Sequence, residues 1–169
     1  MKEADNTKQL ALAGVLTALA VVGSFLSIPV AGSKCAPVQH MVNIFAAVTL
    51  GPGWGIAIAF CASLLRNLLG LGSLMAFPGS MVGALCCALV YKKSKILSLT
   101  CLAEAIGTGL LGGLAAYPVA RFFMGAAPAG LFVYVIPFLI STVAGSILAF
   151  VLISILQKSG VKVQTSSIK

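Results

Sequence analysis

Leu131 to Leu156 reads LFVYVIPFLISTVAGSILAFVLISIL, an apolar run without a charged residue. A helix needs roughly 20 such residues to cross the hydrocarbon core of a bilayer. The run does not alternate apolar with polar, as a half-buried strand would. It reads as a membrane span, with Pro137 inside it. Moving towards the N-terminus, the next apolar run is Ile96 to Met124, where Pro118 predicts a kink. Ala76 to Tyr91 follows, with Pro78 near its start, where a missing N–H is tolerated. Then come Trp54 to Leu69, the short run Val38 to Leu50, and Leu10 to Val30. Breaks separate them at Ala31 to Pro37 (AGSKCAP), Gly51-Pro52-Gly53, Gly70 to Ser73 (GLGS), Lys92 to Lys95 (KKSK) and Gly125 to Gly130 (GAAPAG). Pro37 suits the first turn of the helix it opens. The expected fold is all-α, a polytopic membrane protein with six transmembrane helices over residues 10–157. A cytoplasmic N-tail (1–9) and a cytoplasmic C-tail (158–169) flank it.

Composition supports the same class. The chain is 60% hydrophobic and 8% charged, too few charges to clothe a soluble domain of 169 residues. The apolar excess faces lipid, where every backbone group must be paired within the chain. The net charge of +8 does not mark a nucleic-acid binder. Lys2, Lys8, Lys92, Lys93, Lys95, Lys158, Lys162 and Lys169 fall on one side of a six-span topology, which is then the cytoplasm. Only Lys34 falls clearly in an outer loop. The first apolar run is too long for a signal-peptide core and reads as a retained span. Cys61, Cys86, Cys87 and Cys101 lie in apolar runs as small hydrophobes, Cys35 lies in a loop, and no Cys-x-x-Cys pair exists. A single histidine supports no metal site, and no cofactor is expected. Neither a P-loop, a His-Glu-x-x-His nor a Gly-x-Ser-x-Gly motif occurs, so no catalytic residues are assigned.

Polar groups at membrane depth need a reason. Gln39, His40 and Asn43 open the second span, with His40 and Asn43 on one helix face. They either contact a ligand entering from outside or solvate a helix end. Arg66 and Asn67 lie in the outer half of the third span. Arg66 either snorkels to the interface or pairs inside the bundle. Glu104 and Thr108 share a face of the fifth span, and Glu104 is the sole acid outside the N-tail. It must be protonated, paired or in a watered cavity; Arg66 is the only cation deep enough to pair with it, and a ligand contact is the alternative. Tyr117, near the outer end of that span, either joins an interfacial belt or stacks on a flat ligand. Arg121 reads as an interfacial anchor. Small residues recur every fourth position at Gly14 and Ala18, at Ala105, Gly109 and Gly113, and at Ser141, Gly145 and Ala149. The last two rows are expected to pack helices inside the bundle, and the first is free to dock a partner.

Three segments carry a resemblance. Ile28 to Asn43 (IPVAGSKCAPVQHMVN), Leu50 to Leu85 with LGPGWG, LLRNLLG and FPGS, and Glu104 to Val119 (EAIGTGLLGGLAAYPV) together resemble the ThiW family. That resemblance implies the substrate-binding (S) component of an energy-coupling factor transporter, in the plasma membrane of a prokaryote. It implies six helices, a ligand pocket opening outward, and the thiamin precursor hydroxyethylthiazole as ligand. The implied partners are a transmembrane T component and two ATP-binding subunits. By position it points to Lys34, Gln39, His40, Asn43, Arg66, Asn67, Glu104, Thr108 and Tyr117 as substrate-binding residues, and to Gly14 and Ala18 for docking. The family's small-residue motif on span 1 is Ala-x-x-x-Ala, from which Gly14 departs. The alternatives are an S component for another thiamin-related heterocycle, a stand-alone small-solute carrier, a membrane enzyme or an assembly scaffold.

Overall fold

The computed structural model describes residues 2–30, 33–161 and 163. Six helices account for most of it. α1 spans Lys2–Val22 and continues as a 3-10 turn through Gly23–Leu26. Strands β1 (Ile28–Val30) and β2 (Ser33–Cys35) form an antiparallel hairpin with Pro29 opposite Lys34. Then follow α2 (Pro37–Thr49), α3 (Pro52–Leu68), α4 (Ala76–Ser94), α5 (Leu97–Phe123) and α6 (Val135–Lys158).

Several boundaries correct the sequence reading. The first helix begins in the expected tail and stops short of Val30, because Ile28–Val30 turns over as a strand. Part of the expected loop Ala31 to Pro37 is the partner strand, while Ala31 and Gly32 lie outside the described residues. Lys92 and Lys93 belong to α4, which ends on Lys95 in the left-handed region at φ 57°. Pro137 sits in the first turn of α6 rather than inside it, where its missing N–H is harmless. The C-tail beyond Val161 lies outside the described residues except Val163.

Three helices are long and apolar enough to cross a bilayer alone: Asn6–Leu26, Leu97–Phe123 and Val135–Lys158. α2 has 13 residues and α3 has 17, so α2 is only about 20 Å long at 1.5 Å per residue. The short α2 is tolerable because protein surrounds it. It packs against the other five helices, and its residues from Gln39 to Ile44 are all buried. The outer faces are apolar: Leu68 is 74% and Phe123 77% exposed, and such residues recur along α1, α5 and α6. A continuous apolar exterior of this kind is covered by lipid.

Glycines set the tightest approaches. Gly79 and Gly83 of α4 face Gly112 and Gly107 of α5. A Cβ at Gly112 would lie 2.7 Å from the Gly79 Cα. The five-residue step from Gly107 to Gly112 keeps one face because α5 is π-helical over Ala105–Gly112. Gly109 and Gly113 turn to Leu139 and Val135 of α6, and Gly145 of α6 turns to Pro37 and His40 of α2. Both small-residue rows thus lie in internal contacts. A second π-helical stretch, Val119–Phe123, follows Pro118, where the ring removes one rung of the helical ladder.

Candidate functional site

The termini and the hairpin lie at opposite ends of the bundle. Trp54 Nε1 at the start of α3 donates to Gln9 Oε1 of α1 at 3.1 Å, and Val163 packs into the same core cluster as Leu97. At the other end a small cavity is lined by residues from all parts of the bundle except α1. The hairpin gives Lys34, α2 gives Gln39 and His40, α3 gives Arg66, α4 gives Ala76, Gly79 and Ser80, α5 gives Thr108, and α6 gives Phe138 and Ser141.

Glu104 lies behind this lining, fully buried at 0% exposure. Its Oε1 accepts from Asn43 Nδ2 at 2.9 Å and from Thr108 Oγ1 at 2.9 Å, and meets His40 Nδ1 at 3.0 Å. Three donors converging on one oxygen stabilise a carboxylate in a site that water does not reach. His40 turns Nδ1 to Glu104, so Nε2 is the ring nitrogen left for another partner. Asn43 Nδ2 also donates to the Ser80 carbonyl at 3.2 Å. Gly83 makes room for the cluster, since a Cβ there would collide with Thr108 Oγ1 and stand 2.8 Å from Glu104 Oε2. Oε2 itself and Asn43 Oδ1 are buried without a partner.

The pairing of Glu104 with Arg66, one of the two readings open in the sequence, does not form. Among the described residues Glu104 meets His40 instead, Oε1 to Nδ1 at 3.0 Å. The reason is depth. α2 is short and enters after a hairpin, so its first turn stands inside the bundle, level with Glu104, rather than at the interface. Arg66 lines the cavity instead and is 2% exposed, so it does not snorkel to the surface.

The remaining candidates divide. Lys34 Nζ donates to the Gly70 carbonyl at 3.0 Å, tying the hairpin to the turn after α3. Asn67 shapes that turn, donating from Nδ2 to the Ser63 and Ser73 carbonyls at 2.8 and 3.1 Å, and does not line the cavity. Tyr117 is separate: its hydroxyl accepts from Arg121 at 2.9 Å and it lines no part of the cavity. The hairpin is fastened to α6 as well. The Ala36 N–H donates to Ser141 Oγ at 2.8 Å, and the Cys35 thiol donates to the Pro137 carbonyl at 3.1 Å. Burial pushes that thiol up from its ordinary range, so it stays a donor.

Sequence reasoning passed over Ser63, Ser80 and Phe138, and read Ser141 only as a packing position. Ser63 and Ser80 bond one another at 3.0 Å, and Gln39 Nε2 donates to Ser63 at 3.3 Å. Helical hydroxyls usually bond the carbonyl four residues back, as Thr17, Thr49 and Ser94 do here. No local signal separates the two kinds.

A hydroxyl-lined cavity inside an apolar-faced bundle is a candidate small-molecule site. A family model described as thiamine-precursor transporter protein (ThiW) matches residues 10–159. The chain belongs to the ThiW family. The match covers every helix and both strands, with only the N-terminal part of α1 and the C-tail outside it. ThiW membership makes the chain a thiamine-precursor transporter of the membrane, with a small molecule as substrate. No curated protein and no solved structure matches it.

Proposed function

We propose that the chain is the substrate-binding component of an energy-coupling factor transporter, and that its ligand is the thiamin precursor hydroxyethylthiazole. The cavity around His40 carries this reading: it is enclosed by five helices, capped by the hairpin, and backed by a buried carboxylate cluster. Hydroxyethylthiazole is small and flat, with one hydroxyl and one ring nitrogen. A pocket with Phe138 and Ala76 for the ring and a few polar atoms for the hydroxyl suits it. His40 Nε2, Gln39, Ser80 and Thr108 are the groups we assign to it, with Asn43 and Glu104 holding them in place. Lys34 and Asn67 order the cap, and Tyr117 has no part in this account.

In the same reading all six helices cross the bilayer, with both termini in the cytoplasm of a prokaryote. The lysine distribution supports that orientation. Energy comes from elsewhere, through a T component and two ATP-binding subunits, because the chain carries no nucleotide motif. Gly14 and Ala18 are exposed on α1 and border an apolar groove against Trp54 and Cys61 of α3, which suits docking of another membrane helix.

The test is uptake of labelled hydroxyethylthiazole into proteoliposomes. The chain alone should accumulate none, and the complex with T component and ATPases should accumulate it only with ATP. Accumulation by the chain alone would replace the capture reading with that of a stand-alone carrier.

A further inference from the structure

Arg66 is the side chain that a neutral ligand leaves unexplained. It lines the cavity and is 2% exposed. Its Nε has no hydrogen-bond partner, and among the described residues no carboxylate pairs with it, Glu104 being in contact with His40. A guanidinium has five N–H donors and does not shed its proton in a protein. Burial without an anion is strongly unfavourable for such a group. The route to water along the helix is closed by the turn after α3. That turn folds back so that Leu71 and Gly72 N–H bond the Arg66 carbonyl at 2.8 and 3.0 Å. The helix C-terminus favours a cation at this position but offers the side chain no counter-charge.

The surroundings share this polarity. Lys34 lines the same cavity and uses one of its ammonium donors on Gly70. No carboxylate lines the cavity among the described residues, and Glu104 behind it already holds three donors on Oε1. Ser73 and Ser80 add hydroxyls to the lining. Two cations and a ring of donors face a space that supplies no anion of its own.

We propose that the cavity takes an anionic group on Arg66 and Lys34, so that besides hydroxyethylthiazole it accepts, and holds more tightly, a thiazole bearing a phosphate monoester or a carboxylate. The planar fork of Arg66 matches either anion through two parallel N–H bonds. This inference rests on the cavity being the substrate site of a thiazole transporter, and it names the charge of that substrate.

The test is calorimetric titration of the full chain in detergent with four probes: hydroxyethylthiazole, its phosphate monoester, a methylthiazole carboxylate and inorganic phosphate. One anionic thiazole should bind on the order of ten- to a hundredfold tighter than the neutral alcohol, the margin that hydrogen bonds to a charged group give. The anion that wins identifies the source. Arg66→Gln should erase the margin, and Arg121→Gln should leave it. Because the readout is a ratio within each variant, a reduced folded fraction cancels. Should the glutamine variant not fold, Arg66→Lys carries the test: a smaller margin supports the proposal and an unchanged one overturns it.

Equal affinities for alcohol and anions, or a margin that survives Arg66→Gln, overturn the anion subsite and leave the thiazole reading in place. Inorganic phosphate binding as tightly as the ester supports the subsite and removes the thiazole. No binding of any probe to folded chain overturns both.

Discussion

Glu104 lies eight residues into α5, about 12 Å along a helix whose length suits a bilayer. A charge at that depth costs about 2–3 kcal/mol even on lenient scales. His40, Asn43 and Thr108 offset that cost by converging on Oε1. Removing the carboxylate leaves those donors buried and unpaired, so Glu104→Ala should destabilise by about 3–5 kcal/mol. Arg121→Ala should stay within about 0.5 kcal/mol, since Arg121 is exposed and bonds only the Tyr117 hydroxyl among the described residues. Thermal unfolding in detergent, with ligand titration alongside, checks the pair; equal and small effects would remove Glu104 from the site. Much of this cluster was legible in the sequence. The spacing of His40 with Asn43, and of Glu104 with Thr108, placed each pair on a helix face. The partner across the bundle was not legible. It depends on how deep α2 begins, which the hairpin sets and no local spacing encodes.

The same limit holds for whole elements. Apolar runs and Gly-Pro breaks located five of the six helices to within a few residues. α1 ran differently because Ile28–Val30 is apolar enough to extend a span, and only pairing with Ser33–Cys35 makes it a strand. The π-helical stretch of α5 was also invisible, since a five-residue step between Gly107 and Gly112 has no meaning in a regular α-helix. That step makes a testable difference between glycines. Gly112→Ala drives a methyl against the Gly79 backbone, whereas Gly14→Ala meets nothing within 4 Å. Overpacking of the first kind costs about 1–3 kcal/mol. Gly14→Ala should be neutral or slightly stabilising in the helix. Unfolding temperatures of the two variants measure the contrast, and a neutral Gly112→Ala would mean that α4 and α5 are not in close contact. In the hairpin, Lys34→Ala releases the bond to Gly70. Its expected signature is faster ligand dissociation with little change in unfolding temperature, read by stopped-flow and thermal unfolding; an unchanged off-rate would show that the hairpin does not close the cavity.

For the whole molecule, the account is a six-helix bundle whose two ends differ. Lysines gather at the end with the termini, and the cavity opens at the other. Cysteine substitution at Lys95 and Lys34 in intact cells, on a background lacking native cysteines, should give labelling by an impermeant maleimide at position 34 alone. Labelling at both positions, or only at 95, would break the orientation. Composition made the membrane class legible, but not the role of α2. It is too short to span unaided and is surrounded by the other five helices. The claim on which the rest depends is that the cavity at the hairpin end holds a thiamin precursor. Isothermal titration of the purified chain with hydroxyethylthiazole, with thiamin as competitor, addresses it most directly. The account predicts saturable binding that thiamin does not displace, because the cations Arg66 and Lys34 disfavour a charged thiazolium in the cavity. A folded chain that binds no hydroxyethylthiazole, or that binds thiamin instead, would contradict it.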